Sequence, residues 1–303
     1  MPQALCNGIA IEYETRGKPD GRPLVLVRGL GTQLIQWDER FCDRLVEAGH
    51  SLVLFDNRDV GLSTHCDAAG APDLARILAA RAAGAPPDVA YTLSDMAADL
   101  IGVMDALGLE SAHVAGMSMG GMIVQQAAIL FPSRLRSLTS IMSTTGEPGL
   151  PGPTPEAALA LSTPPPHERA AYIDYSTRTQ RSFSGRGFPF DEVRWRGLAG
   201  RVFDRAFDPT GIARQMAAVV ASGSRHEALA QVTTPALVLH GSDDPLIPPA
   251  GGEATARAIP GARLHRIEGM GHDLPEGAWP EIVSLIAEHT AAADAARRAR
   301  RAG

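Results

Sequence analysis

The 303-residue chain predicts an α/β architecture: a mostly parallel sheet covered by helices and interrupted by an inserted helical cap. Three observations point there. Short β-rich runs alternate with stretches of helical periodicity through residue 143, the pattern of strands joined by covering helices. Residues 144–166 then crowd Pro and Gly together, and the chain reads as helical and irregular to about residue 230. Strand texture returns at residues 236–240 and Arg263–Ile267. These shifts assign residues 1–143 and 231–290 to a core, 144–230 to a cap, and the Arg-rich run 291–303 to a flexible tail.

Taken in order, residues 5–13 read as a first strand pair turning at Asn7-Gly8, a favoured hairpin dipeptide. Residues 23–27 and 51–55 are near-continuous apolar runs, as strands buried on both faces must be. Residues 113–115 and 138–142 supply two more strands. Between them, residues 34–49 repeat apolar side chains at helical spacing and stop at Gly49. Residues 93–107 start near Ser94 as a cap and stop at Gly108. Residues 121–131 and 282–289 complete the expected core helices. In the cap, eight of the fifteen aromatic residues fall between Tyr172 and Phe207. Most are expected to pack the cap onto the core, and the rest favour an apolar, ring-bearing ligand.

Composition narrows the function. Hydrophobic residues make up 45% and charged residues 20%, enough to bury a core without disulfides or metals. A formal charge of -6 argues against nucleic acid and anionic membranes as partners. Cys6, Cys42 and Cys66 form no CxxC pair and leave an odd number, so reduced thiols in a cytoplasmic setting are expected. The first residues carry no basic-then-apolar leader, and the apolar runs are too short to span a bilayer.

Chemistry is written at four places. Gly116-Met117-Ser118-Met119-Gly120 sits between a strand and a helix. A sharp turn there needs small flanking residues, and it holds the serine hydroxyl outward beside a helix N-terminus. A hydroxyl is a poor nucleophile until a base takes its proton. His272, in Gly269-Met270-Gly271-His272 just after the last strand, is the candidate base. Asp243 and Asp244, after the strand at 236–240, are the candidate orienting acids. Charge on the tetrahedral intermediate calls for backbone N–H donors. The amides of Met119 and of Leu30, in Arg28-Gly29-Leu30-Gly31, are the expected pair.

Together these segments resemble the α/β-hydrolase superfamily from about residue 5 to residue 289. Asp56-Asn57-Arg58-Asp59-Val60-Gly61-Leu62-Ser63 matches a further segment common in it, where Asp56 and Arg58 order a loop. The resemblance implies an eight-stranded, mostly parallel sheet and a Ser118–His272–Asp244 triad. The Gly241-x-x-Asp244 spacing selects Asp244 over Asp243. Within the superfamily the chain is most similar to the aclacinomycin methylesterases and related bacterial carboxylesterases. That likeness implies hydrolysis of a small-molecule ester or lactone by an acyl-enzyme, a methyl ester on a bulky aromatic molecule being the model substrate, with no metal or organic cofactor. Perhydrolases and C–C bond hydrolases share the triad and stand as alternatives, and a non-catalytic receptor of this fold is another. Ser118 argues against epoxide hydrolases and haloalkane dehalogenases, which attack with a carboxylate. One residue departs from the pattern: where many members carry His-Gly, this chain has Arg28-Gly29. Its guanidinium suits either a ligand carbonyl or carboxylate, or an acidic neighbour within the protein.

Overall fold

The computed structural model describes residues 2–302. The chain opens with β1 (Gln3–Cys6), β2 (Ile9–Arg16) and β3 (Arg22–Val27), followed by α1 (Glu39–Glu47) and β4 (His50–Phe55). Next come α2 (Leu74–Ala82), α3 (Leu93–Ala106), β5 (Ala112–Met117), α4 (Met119–Leu130) and β6 (Leu135–Ile141). The inserted segment carries α5 (Pro155–Ser162), α6 (Arg169–Phe183), α7 (Glu192–Arg205), α8 (Pro209–Ser222) and α9 (His226–Leu229). The chain ends with β7 (Ala236–Gly241), α10 (Ala250–Ala258), β8 (Arg263–Ile267) and α11 (Trp279–Ala302). The eight strands form a sheet in the order β1-β2-β4-β3-β5-β6-β7-β8. β1 and β2 are antiparallel to their neighbours, and β4 through β8 run parallel.

The parallel strands are apolar on both faces because both are covered. Val25, Val27, Val53, Phe55 and Val114 face one layer, packed with α3 and α4 through residues such as Leu100 and Ile123. Leu24, Leu26, Leu52, Leu54 and Ala115 face the other, where Phe41 of α1 and Trp279 and Ile282 of α11 close over them. Each fully buried side chain of this size contributes roughly 2 kcal/mol over exposure. At the antiparallel edge, Asn7 and Gly8 both take positive φ, 50° and 78°, which a two-residue turn matched to strand twist requires.

Three local expectations need correction. The helix expected over residues 34–49 breaks at Trp37: a short 3-10 turn at Leu34–Gln36 precedes α1, and Asp38 accepts the Arg40 N–H to start it afresh. The cap of α3 is Thr92 rather than Ser94, locked by Asp95 accepting from the Thr92 N–H at 2.8 Å. The expected flexible tail from residue 291 is instead the end of α11, which runs to Ala302; Gly303 lies outside the described residues. Ala293 is buried there, and the Arg297 guanidinium donates to Ser111 Oγ at 2.9 Å. Alanine and arginine are strong helix formers, so this stretch needed only one docked face to stay helical. Among the described residues, no helix is long and apolar enough to cross a membrane.

Candidate active site

Because β3, β5, β7 and β8 run parallel, their C-terminal ends deliver Arg28–Gly31, Ser118, Asp244 and His272 to one edge of the sheet. Ligands bind at this edge in open α/β sheets. The turn from β5 into α4 is tight. Ser118 adopts φ 57° and ψ −121°, a conformation normally left to glycine. Its backbone is pinned from two sides: the Ser118 N–H donates to Ile141 O at 2.9 Å, and Ser143 Oγ donates to Ser118 O at 2.8 Å. The flanking glycines are sterically required. A Cβ on Gly116 would lie 2.1 Å from Gly120 O, and one on Gly120 would lie 2.2 Å from Val27 O.

Of the two aspartates, Asp244 meets the histidine: His272 Nδ1 lies 2.8 Å from Asp244 Oδ2, with both residues buried. A carboxylate only accepts, so Nδ1 carries a proton toward Asp244. The other Asp244 oxygen accepts from the Leu246 and Ile247 N–H groups at 2.9 and 2.8 Å. Burial alone would raise its pKa. The charge of His272 and hydrogen bonds from His240 and His272 outweigh that and hold Asp244 down at about 2. Asp243 has a different job, accepting from the Arg186 N–H at 3.2 Å. The inserted segment supports the histidine loop directly. The His272 N–H donates to Phe183 O at 2.7 Å, and the Gly187 N–H donates to Gly269 O at 2.9 Å.

In the loop after β3, the Gly31 N–H is taken by Gln215 Oε1 at 2.8 Å. Among the described residues no acceptor engages the Leu30 N–H. Met119 is the first residue of α4, whose leading N–H groups have no partner within the helix. Both residues line a cavity of about 290 Å³ together with Ser118 and His272. Gly29 sits so close that a Cβ there would come within 3.1 Å of Ser118 Cβ.

The walls of this cavity are largely apolar: Met117, Met122, Leu246 and Ile247 come from the core, and Pro153, Leu161, Phe183, Met216 and Val219 from the inserted segment. Of the eight aromatics noted in the sequence, Phe183 alone lines it. Tyr172, Phe203 and Phe207 pack on one another in tilted and edge-on pairs instead, and Phe190 stacks on Trp195. Arg28 forms part of the wall, and no ion pair within the described residues engages it.

The Asp56–Ser63 segment and its partners hold the surroundings in place. Asp56 accepts from the Leu34 and Leu62 N–H groups and pairs with Arg205 of α7 at 2.7 Å. Arg58 makes a two-point bond to buried Asp99, both contacts at 2.6 Å. Gln215 and Arg214 of α8, which sequence reasoning did not single out, reach back to the core: Gln215 donates to Arg58 O at 2.7 Å, and Arg214 bonds both oxygens of Asp59. Asp59, His65 and Asp208 are close enough to share a cation. The Arg214 guanidinium already lies against both carboxylates, and Tyr91 donates to Asp59 at 2.6 Å. That donor set is spent on internal bonds.

Comparison with known proteins places the geometry in context. A family model described as alpha/beta hydrolase fold matches residues 22–277. Rhodomycin D methylesterase DnrP of Streptomyces peucetius is 32% identical over 97% of this chain and 99% of its own length. DauP, of the same description, from Streptomyces sp. (strain C5), is 31% identical over 94% of this chain and 96% of its own. Among solved structures, a meta-cleavage product hydrolase from Pseudomonas fluorescens IP01 superposes with a TM-score of 0.74 at 17% identity, covering 97% of this chain and 98% of its own. The enol-lactonase from Burkholderia xenovorans LB400 gives 0.70 at 22% identity, covering 95% and 99%. At those identities the two structures speak for the fold alone.

Proposed function

The chain belongs to the α/β-hydrolase fold family, and from that premise we propose that it hydrolyses a carboxylic ester, a methyl ester first among them, through an acyl-enzyme on Ser118. The observation that carries this reading is the 2.8 Å contact of His272 Nδ1 with Asp244, in a residue that shares its cavity with Ser118. His272 Nε2 takes the Ser118 proton, and Ser118 Oγ attacks the ester carbonyl. The Leu30 and Met119 amides hold the oxyanion. His272 then protonates the departing alkoxide, and water, activated by the same imidazole, releases the acid. Asp244 stays ionised throughout and stabilises the imidazolium. The methylesterase relatives favour a small leaving alcohol, which leaves most of the roughly 290 Å³ for the acyl part. Its apolar walls suit a hydrophobic acyl group.

A fluorophosphonate probe tests the nucleophile, with a panel of methyl esters, lactones and peroxide plus acetate to sort the reaction. Labelling of the wild-type protein and none of Ser118→Ala is expected, with turnover greatest on methyl esters. Equal labelling of the two proteins would remove Ser118 from its role.

A further inference from the structure

The Arg28 guanidinium has an environment that the reaction just described does not account for. It is buried, 5% exposed, in the wall of the cavity beside the oxyanion loop. Its face lies 4.8 Å over the Trp37 ring, and Nη1 points to the Met117 thioether at 3.3 Å, a weak acceptor. Its Nε has no partner at all. Among the described residues no carboxylate pairs with it, and no acidic side chain lines the cavity. Asp38, which lines a recess beside the cavity, is already paired with Arg194 at 2.9 Å and with Arg40 at 3.3 Å. Burial lowers the guanidinium to about 10, so it remains a cation at neutral pH. A buried charge without a counter-charge is costly. Trp37 offsets part of that cost by cation–π attraction, but leaves Nε without an acceptor and Nη1 with only the weak thioether.

This small recess of about 30 Å³ adjoins the cavity, and Arg28, Met117, Gln36 and Gln180 line both. Asp38, Asp273 and Arg194 line the recess alone, so an anion is accommodated on the cavity side of Arg28, where no acidic side chain stands. The two glutamine amides therefore stand around the same boundary as the free guanidinium edge. That arrangement offers a planar donor fork with flanking amides, the chemistry that recognises a carboxylate.

We infer that Arg28, with Gln36 and Gln180, forms an anionic subsite in the catalytic cavity, so that the preferred substrates are half-esters carrying a free carboxylate on the acyl side. The inference rests on the ester-hydrolase reading, which puts a small alcohol in the leaving position and therefore the carboxylate on the acyl part. Arg28 acts on binding and takes no part in the bond changes.

The test compares kcat/KM for monomethyl succinate, glutarate and adipate with the matching methyl esters of the mono-amides, which keep the shape and lose the charge. For the best-fitting chain length, wild type is expected to prefer the carboxylate by about tenfold or more. The preference should fall to near one in Arg28→Met, mainly through KM. A wild-type ratio near one at every length overturns the inference without any variant. So does a preference that survives in Arg28→Met, which would place the anion elsewhere. If Arg28→Met does not fold, Arg28→Gln supplies the same readout. Ester turnover and fluorophosphonate labelling of Ser118 separate the two levels: turnover without charge preference refutes the subsite alone, whereas absence of both refutes the hydrolase reading.

Discussion

Ser118 holds a backbone conformation that costs of order 1–3 kcal/mol for a residue with a Cβ. Relieving it should stabilise the protein while ending its activity. Ser118→Gly is expected to raise the unfolding free energy by about 1 kcal/mol and to abolish ester turnover, both measurable on one preparation by urea denaturation and steady-state assay. A loss of stability would show that the turn is not strained. Neighbouring aspartates offer a second contrast. Asp244→Asn should lower kcat by about four orders of magnitude, as loss of the orienting carboxylate does in a Ser–His–Asp triad. Asp243→Asn should leave kcat near wild type, because its carboxylate braces the Arg186 N–H and the Ser242 hydroxyl and does not meet His272. The reverse ranking would transfer the orienting role. Since Asp244 is held at about 2, its contribution to folding is complete above about pH 4 and is lost only as the pH falls through 2. Any loss of activity on the acid side above that window must come from another group.

At the level of elements, α8 works as a strut. Gln215 accepts from Gly31 in the loop that carries Leu30 and donates to Arg58 O. Gln215→Ala should loosen that loop, lowering kcat about tenfold with little change in KM, and should cost about 1–3 kcal/mol for the buried carbonyl left unpaired. An effect on KM alone would assign α8 to substrate entry instead. Nothing local in the sequence announces such a strut, because its partner lies 184 residues away. What was legible had a local cause. β3 and β4 read as strands because both faces are buried, so their apolar runs are continuous. The Gly116–Gly120 turn was legible because backbone crowding leaves no room for Cβ atoms there. By contrast α10 was hidden by Gly251 and Gly252, poor helix formers kept because a Cβ on Gly252 would lie 2.4 Å from His240 Nδ1. α2, with four alanines in nine residues and only Ile77 buried, gave too faint a stripe to read. Arg28 lay between two readings because its environment, a ring, a thioether and no carboxylate, is assembled from separate segments.

Across the whole molecule, the sheet face carrying Leu24 and Leu52 is closed by α1 and α11, and α11 rests on buried histidines. His50 Nε2 lies 2.9 Å from Thr290 Oγ1, His113 Nε2 lies 3.3 Å from Asp294, and His289 Nε2 donates to Leu138 O at 3.2 Å. Burial is the main cause that lowers all three. The Leu45 and Leu138 carbonyls pull His50 and His289 partly back, Arg22 and Arg263 push them further down, and the two settle at about 4. For His113 the Asp294 carboxylate opposes the fall and Arg136 assists it. These imidazoles are neutral in the folded protein at pH 7, whereas the unfolded chain protonates near its ordinary value of about 6.5. Between those values the unfolded state binds the extra protons, so stability rises with pH and is lost as pH falls from about 6.5 toward 4. His50 and His289 should each remove about 2 kcal/mol between pH 7 and pH 5. Urea titrations across that range are expected to show the loss in wild type and about 2 kcal/mol less of it in His289→Gln, whose amide can still donate to Leu138 O. A flat profile would mean the histidines are protonated in the fold. Truncation after Thr290 should destabilise the protein at pH 7 as well, since it removes the buried Ala293 and the Asp294 partner of His113. A dispensable tail would leave the midpoint unchanged, so this single deletion decides whether the last turns of α11 belong to the fold.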